Sequence, residues 1–185
     1  MKIAVVGATG LVGRNIINLC EEYFESDVQY SLYASSKSAG SELTINNRNI
    51  VVQELNEKNI FNFDLVLFSA GGERAQLYAK SFVDKGAFVI DNSSAFRMLD
   101  DVPLVVYGVN EEAITKSTKL ISNPNCTTMG LVMSLKPLHD AYVLKSITPT
   151  SYQAVSGSGT RAVESLEKEL TLSDNLLSDY SEGFY

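Results

Sequence analysis

The sequence predicts an α/β protein: a doubly wound parallel sheet followed by the beginning of a second, α+β domain. Three observations carry that expectation. Short, mostly apolar runs recur along the first two thirds of the chain, separated by stretches of helical spacing, as in buried parallel strands alternating with helices. The first run, Lys2–Val6, leads directly into Gly7-Ala8-Thr9-Gly10-Leu11-Val12-Gly13, a glycine-rich turn that opens a helix. After about residue 124 the rhythm changes, which divides the chain into a first domain over 1–124 and a partial second one over 125–185.

Taken in order, Lys2–Val6 reads as a strand. Residues 11–24 carry Leu11, Ile16, Leu19 and Phe24 at helical spacing. Gln29–Ala34 is the next strand and 49–52 a further short one. Residues 64–69 form a buried strand ending in Ala70-Gly71-Gly72; 73–85 is a helix stopped by Gly86, and 87–90 the strand after it. Residues 104–106 and 119–121 read as two more strands around a short helix at 111–116. In the second part, 126–139 is a helix, 146–155 a longer strand and 158–170 an amphipathic helix. The remaining 171–185, with several acidic and serine positions and two terminal aromatics, reads as a connector.

Composition narrows the function classes. The 185 residues are 45% hydrophobic and 20% charged, with 4 prolines and 12 glycines, which excludes a disordered tail, a collagen-like repeat and a coiled coil. Fifteen Lys and Arg against 22 Asp and Glu give a net charge of −7, with no basic cluster to neutralise phosphates, so nucleic acid is not expected as a partner. Cys20 and Cys126 lie far apart and make neither a metal spacing nor a disulfide framework; no metal is expected. The N-terminal apolar stretch is interrupted by glycines and closed by Arg14, and the longest charge-free run, 120–135, is broken by Asn123-Pro124-Asn125. No targeting or membrane segment is expected, and the expected address is the cytoplasm.

The glycine turn has the chemistry of a dinucleotide site. Gly7 allows the tight turn, Gly10 lets backbone approach a diphosphate, and Gly13 lets the helix pack closely on the strand. Free N–H groups at the helix start, from Leu11 and Val12 onward, face the anion. NAD-specific folds place an acidic residue at the end of the second strand. Here that position offers Ser35, Ser36, Lys37 and Ser38, then Ala39-Gly40. Hydroxyls with a lysine suit a 2′-phosphate, so NADP is expected rather than NAD.

Ser122-Asn123-Pro124-Asn125-Cys126-Thr127-Thr128 is the most informative stretch. Pro124 disfavours helix at the residue before it, and Asn125 is a good N-cap, so Cys126 falls in the first turn of the following helix. Unpaired N–H groups and the helix dipole favour a thiolate there, and can hold the oxyanion formed when it attacks a carbonyl. Cys20, on the apolar side of the first helix, reads as packing. His139, the single histidine, sits at the far end of the Cys126 helix, on the order of 20 Å away at 1.5 Å rise per residue. It reads as a C-terminal helix residue favoured by the dipole.

Together with Ser36-Lys37-Ser38-Ala39-Gly40, Asp91-Asn92-Ser93-Ser94-Ala95-Phe96-Arg97 and Gln153-Ala154-Val155-Ser156-Gly157-Ser158-Gly159, these motifs resemble the aspartate-β-semialdehyde dehydrogenases, in the family's order and over almost the whole chain. The resemblance implies a Rossmann-type NADP domain and the start of a catalytic and dimerisation domain. It implies reduction of β-aspartyl phosphate to aspartate semialdehyde, in aspartate-family amino-acid biosynthesis. By resemblance, Cys126 is the nucleophile that forms an acyl-thioester and Asn125 helps to hold the tetrahedral oxyanion. Arg97 holds the acyl phosphate with help from Asn92, and Gln153 binds substrate or orients the thioester. Thr9, Gly10, Leu11, Val12, Lys37 and Ser38 hold NADP phosphates, with Gly7, Gly13 and Ser35 around them. Ser156 and Gly157, with Ala70 and Gly71, lie near the nicotinamide.

The resemblance further implies a small-molecule partner, an acyl phosphate or aldehyde, and a homodimer or higher oligomer in the full-length family. The family's proton-shuttling histidine and carboxylate-binding arginine come after the point where this sequence stops. The chain is therefore expected to be truncated, to keep the NADP site and an activatable thiol, and to turn over little. The absent portion is expected to leave apolar surface and sheet edges uncovered. N-acyl-glutamyl-phosphate reductases are the nearest alternative: Val106-Tyr107-Gly108 resembles them, whereas Asn-Pro-Asn-Cys-Thr-Thr does not. A non-catalytic nucleotide-binding module is the other alternative.

Overall fold

β1 (Lys2–Val6) is buried from Ile3 onward on both sides, which is why it reads as an unbroken apolar run. In the computed structural model, which describes residues 1–24 and 27–171, β1 leads into α1 (Leu11–Tyr23) and then β2 (Gln29–Ala34). A hairpin of β3 (Glu42–Ile45) and β4 (Arg48–Val51) and the two-residue β5 (Gln53–Glu54) follow. Then come β6 (Leu65–Phe68), α2 (Gly72–Asp84), β7 (Phe88–Asp91), β8 (Leu120–Ser122) and α3 (Cys126–Tyr142).

The main sheet has the order β5-β2-β1-β6-β7-β8, with every neighbouring pair parallel. The chain therefore builds one half outward from β1, returns, and builds the other half outward from β6. Loops at the carboxyl ends of β1 and β6 diverge to opposite halves, leaving a crevice where doubly wound sheets bind ligands. Alternation within β1 sends Ile3 and Val5 to the face packed by Ile17 of α1, and Ala4 and Val6 to the other. On that second face Ala75, Ala79 and Phe82 of α2 close the core. Phe82 is its centre: its ring lies 6.1 Å from Tyr33, 6.0 Å from Phe63 and 6.3 Å from Phe68.

Several expected elements differ. The β3–β4 hairpin was not anticipated as a pair; it turns on Asn46 and Asn47, both left-handed at φ 49 and 59, as a two-residue hairpin turn requires. The strand expected at 104–106 is a single bridge from Leu104 to Ser122. The Asn110 side chain accepts from Val106 N at 2.8 Å and donates to Leu104 O at 2.9 Å, diverting those backbone groups into a turn. The helix expected at 111–116 is a one-turn 3-10 helix, Glu111–Ala113.

The described chain divides into two compact units, Met1–Lys145 and Ser146–Tyr185, the second described through residue 171. α3 belongs to the first. In the second, the strand expected at 146–155 is irregular backbone through 154, then a short 3-10 helix, Val155–Ser158, and α4 (Thr160–Thr171). An isolated strand cannot satisfy its backbone groups, and none of the described residues pairs with this one. The connector expected from 171 lies, beyond its first residue, outside the described residues. Among the described residues no helix is long and apolar enough to cross a membrane, and no group of three or more His, Cys, Asp or Glu is placed to hold a metal.

Candidate active site at the carboxyl edge of the sheet

The glycine turn is built without room for side chains. Gly7 has φ +88, and a Cβ there would lie 2.1 Å from the Ser69 carbonyl oxygen at the end of β6. A Cβ on Gly13 would lie 2.1 Å from the Gly7 carbonyl oxygen, so α1 starts hard against the turn. Gly10 caps α1 in extended conformation with no side-chain hydrogen bond, and Gly10, Leu11 and Val12 are all exposed. The first-turn amides thus open to solvent at the positive end of the helix, where an anion is stabilised. Thr9 is half-buried beside them, its carbonyl accepting from Arg14 Nε at 3.2 Å.

The loop after β2 adjoins this turn, because Gly7 N and Ala8 N both donate to the Tyr33 carbonyl, at 2.8 and 3.1 Å. Ser38 N and Ala39 N in turn donate to Ser35 O, coiling 35–39 into a tight turn with Lys37 exposed and Ser35 and Ser38 half-buried. No carboxylate occupies the loop. Beyond β6, Ala70 and the left-handed Gly71 (φ +84) lead into α2 next to the Ser69 carbonyl that Gly7 approaches. These residues fit a dinucleotide diphosphate: glycines where a Cβ would clash, uncapped amides, and a hydroxyl- and lysine-bearing loop alongside.

The ends of β7 and β8 carry the second cluster. Asn92 N donates to Phe68 O at 2.9 Å and Asn123 N to Asp91 O at 2.8 Å, extending the sheet one residue past each strand. Arg97 reaches back across both: Nε donates to Asn123 O at 2.8 Å and Nη2 to Asn92 O at 3.2 Å. A guanidinium has five N–H donors, so three remain, on Nη1 and Nη2, for an anion. Asp91 is fully buried beneath this loop and accepts from Ser93 N at 3.1 Å and Ser93 Oγ at 2.6 Å. Burial pushes its carboxyl above the ordinary value, while the two Ser93 hydrogen bonds and the Arg97 charge pull the other way.

Cys126 is the first residue of α3 and is exposed. Asn125 caps the helix, its Oδ1 accepting from Thr127 N at 2.9 Å; Cys126 Sγ lies 4.0 Å from the same oxygen. Since Asn123 is held by both β7 and Arg97, the nucleophile candidate is three residues from the anion clamp's anchor. Cys20, by contrast, is buried on α1, and desolvation pushes its thiol up to about 11. His139 lies in the last turn of α3, away from Cys126.

Gln153, Ser156 and Gly157 belong to the second unit. There Gln153 Nε2 lies so close over Gly157 that a Cβ on the glycine would be 2.9 Å from it. Ser156 O accepts from Gly159 N at 3.0 Å, closing the turn into α4. The sheet edge therefore gathers the candidate residues of the first unit, from Gly7 to Cys126. Two contributors escaped the sequence reading, Asp91 and Ser93; the signal available was an Asp ending an apolar strand two residues before a serine.

Residues 2–117 match the family model for the semialdehyde dehydrogenase NAD binding domain, and 135–183 match that for the semialdehyde dehydrogenase dimerisation domain. An aspartate-semialdehyde dehydrogenase of Aquifex aeolicus is 44% identical over 91% of this chain and 50% of its own length. One from Campylobacter jejuni is 47% identical over 89% of this chain and 49% of its own. Among solved structures, an aspartate semialdehyde dehydrogenase II of Vibrio cholerae complexed with ASA superposes with a TM-score of 0.84 at 36% identity, covering 92% of this chain and 51% of that one. An aspartate semialdehyde dehydrogenase with NADP from Candida albicans gives 0.62 at 34% identity, over 76% and 47%. The chain spans about half the length of the curated relatives it matches. By its sequence motifs, its sheet order and these matches, the chain belongs to the semialdehyde dehydrogenase family.

Proposed function

We propose that the protein carries out the NADP-dependent reductive dephosphorylation of β-aspartyl phosphate to aspartate semialdehyde, through an acyl-thioester on Cys126. The observation that supports this most is the pairing of an exposed cysteine at a capped helix start with an arginine whose unused donors flank the same sheet edge. In this reading Cys126 Sγ attacks the acyl carbon, the carbon–sulfur bond forms as the carbon–oxygen bond to phosphate breaks, and phosphate departs toward Arg97. Asn92 assists at the phosphate, Asn125 at the tetrahedral oxyanion and Gln153 at the acyl group. Exposed first-turn amides of α3 offer the developing oxyanion its hydrogen bonds.

Gly7, Thr9, Gly10, Leu11, Val12 and Gly13 would hold the dinucleotide diphosphate; Ser35, Lys37 and Ser38 its 2′-phosphate; and Ala70, Gly71, Ser156 and Gly157 its nicotinamide end. When bound, NADPH supplies the hydride that takes the thioester to the aldehyde. The match of 135–183 to a dimerisation domain supports a homodimer, and the address in this reading is the cytoplasm.

His139, the single histidine of these 185 residues, lies at the far end of α3 from Cys126, so these residues by themselves should bind NADP and react at Cys126 while turning over little. Calorimetric titration with NADP and NAD, and a steady-state assay with aspartate semialdehyde, phosphate and NADP, test the reading. Tighter binding of NADP than NAD supports it. Failure to bind either dinucleotide refutes the cofactor assignment, and turnover like that of full-length relatives refutes the proton-transfer argument.

A further inference from the structure

We propose that Asp91 is a positioning residue: through Ser93 it fixes the loop that aims the Arg97 guanidinium at the anion site. The inference rests on the reading of Arg97 as the group that holds the phosphate. Asp91 makes no ion pair with Arg97 and touches no open surface; its two carboxylate oxygens go to Ser93, one to the amide and one to the hydroxyl. The same Ser93 hydroxyl accepts from Ala95 N at 3.1 Å, so the buried carboxylate, directly and through Ser93, orders two successive turns of backbone between β7 and Arg97. Arg97 then spends two donors on the carbonyls of Asn92 and Asn123, which fix the plane of the guanidinium and so the orientation of its remaining N–H groups.

A buried carboxylate is costly unless its hydrogen bonds return the desolvation. Apolar residues would pack the strand end at least as stably. Directly across the sheet, in register with Asp91, Ser122 is fully buried and its hydroxyl has no hydrogen-bond partner. Two polar groups thus sit in the sheet interior at the point nearest the clamp, where burial alone favours valine or leucine. Orientation of the loop is the return for that cost.

Alkylation of the wild-type chain at Cys126 by iodoacetate, an anion, and by iodoacetamide, its neutral counterpart, gives a rate ratio that reads the positive charge presented beside the thiol. Buried Cys20 serves as the internal gauge of folding, since it reacts only when the fold opens. Arg97→Gln should lower the ratio roughly fivefold, as expected for loss of one partly screened charge. Asp91→Asn and Ser93→Ala should lower it severalfold with Cys20 still protected. A bystander carboxylate gives the opposite sign, because removing its negative charge raises the anionic rate. A fall with either variant supports the proposal. An unchanged or raised ratio in both overturns it while leaving Arg97 in place, as does labelling of Cys20 in both, which would make the pair a folding element. An Arg97→Gln chain with the wild-type ratio instead refutes the reading on which the proposal rests.

Discussion

Replacing Gly13 by alanine adds one methyl group at the tightest point of the cofactor turn. Its Cβ would lie 2.1 Å from the Gly7 carbonyl oxygen, 2.8 Å from the Gly7 carbonyl carbon and 3.0 Å from Ala8 Cα, all backbone atoms that cannot swing aside. Restoring a contact of 3.4 Å, the distance a Cβ on Gly10 already has from that same oxygen, requires α1 and the turn to separate by about 1.3 Å. Overpacking of this kind costs about 1–3 kcal/mol, and alanine's better helix propensity returns up to about 1 kcal/mol. Urea denaturation should therefore show a net loss between about 0 and 3 kcal/mol. The displacement also moves the Leu11 and Val12 amides away from the anion they face. A tenfold or greater loss of NADP affinity by calorimetry is expected, equivalent to about 1.4 kcal/mol. Gly10→Ala is the contrast: φ is −74 and the new contact is tolerable, so stability should stay within about 1 kcal/mol while affinity falls because the diphosphate loses its close approach. A Gly13→Ala chain that keeps both wild-type stability and wild-type affinity would refute the argument from close packing.

Two further outcomes follow from groups away from the turn. Burial raises the Cys20 thiol from 9.0 to about 11 and the Tyr33 phenol from 10.0 to about 12. The folded state prefers both neutral, so their contribution is intact below pH 9 and 10 respectively. It is lost as pH rises toward 11 and 12, the cysteine accounting for about 3 kcal/mol; urea midpoints from pH 8 to 11 should fall, and less steeply in Cys20→Ala. Asn125→Ala removes the hydrogen bond to Thr127 N and should cost the α3 terminus about 1 kcal/mol, read as faster amide exchange in its first turn. Asn125→Asp, which keeps the acceptor, should not; equal exchange in all three chains would contradict the cap.

Legibility followed burial. β1 and the turn after it were readable because a strand buried on both faces has a continuous apolar run, and because Gly7 and Gly13 occupy positions where any Cβ would clash. The hairpin was half visible: Glu42–Ile45 and Arg48–Val51 mix charge with aliphatics, and their pairing is set by two left-handed asparagines rather than by hydrophobic pattern. Residues 104–106 have strand chemistry, but the Asn110 side chain, six positions on from Leu104, competes for their backbone groups, which no local pattern records. The segment 146–154 has the residues of a strand without a partner. At the site, Cys126 and Asn125 were legible as a cap and first turn, since Pro124 fixes where the helix begins. Asp91 was not, because an aspartate at a strand end looks the same in sequence whether it faces solvent or supports an arginine.

α3 has the last word on how the thiol is presented. Seventeen residues long, it has none of them buried among the described residues. Short helices are marginal in water without tertiary packing. Pro137 can offer no amide to the Met133 carbonyl, so the ladder is interrupted one turn before its end. Its other terminus, by contrast, is moored to the sheet through Asn123 and Arg97. Opening should therefore begin beyond Pro137 and travel toward the mooring, leaving the first turn for last. Cys126 occupies the one part of a weakly supported rod that unravelling reaches late, so its surroundings can outlive the helix that carries them.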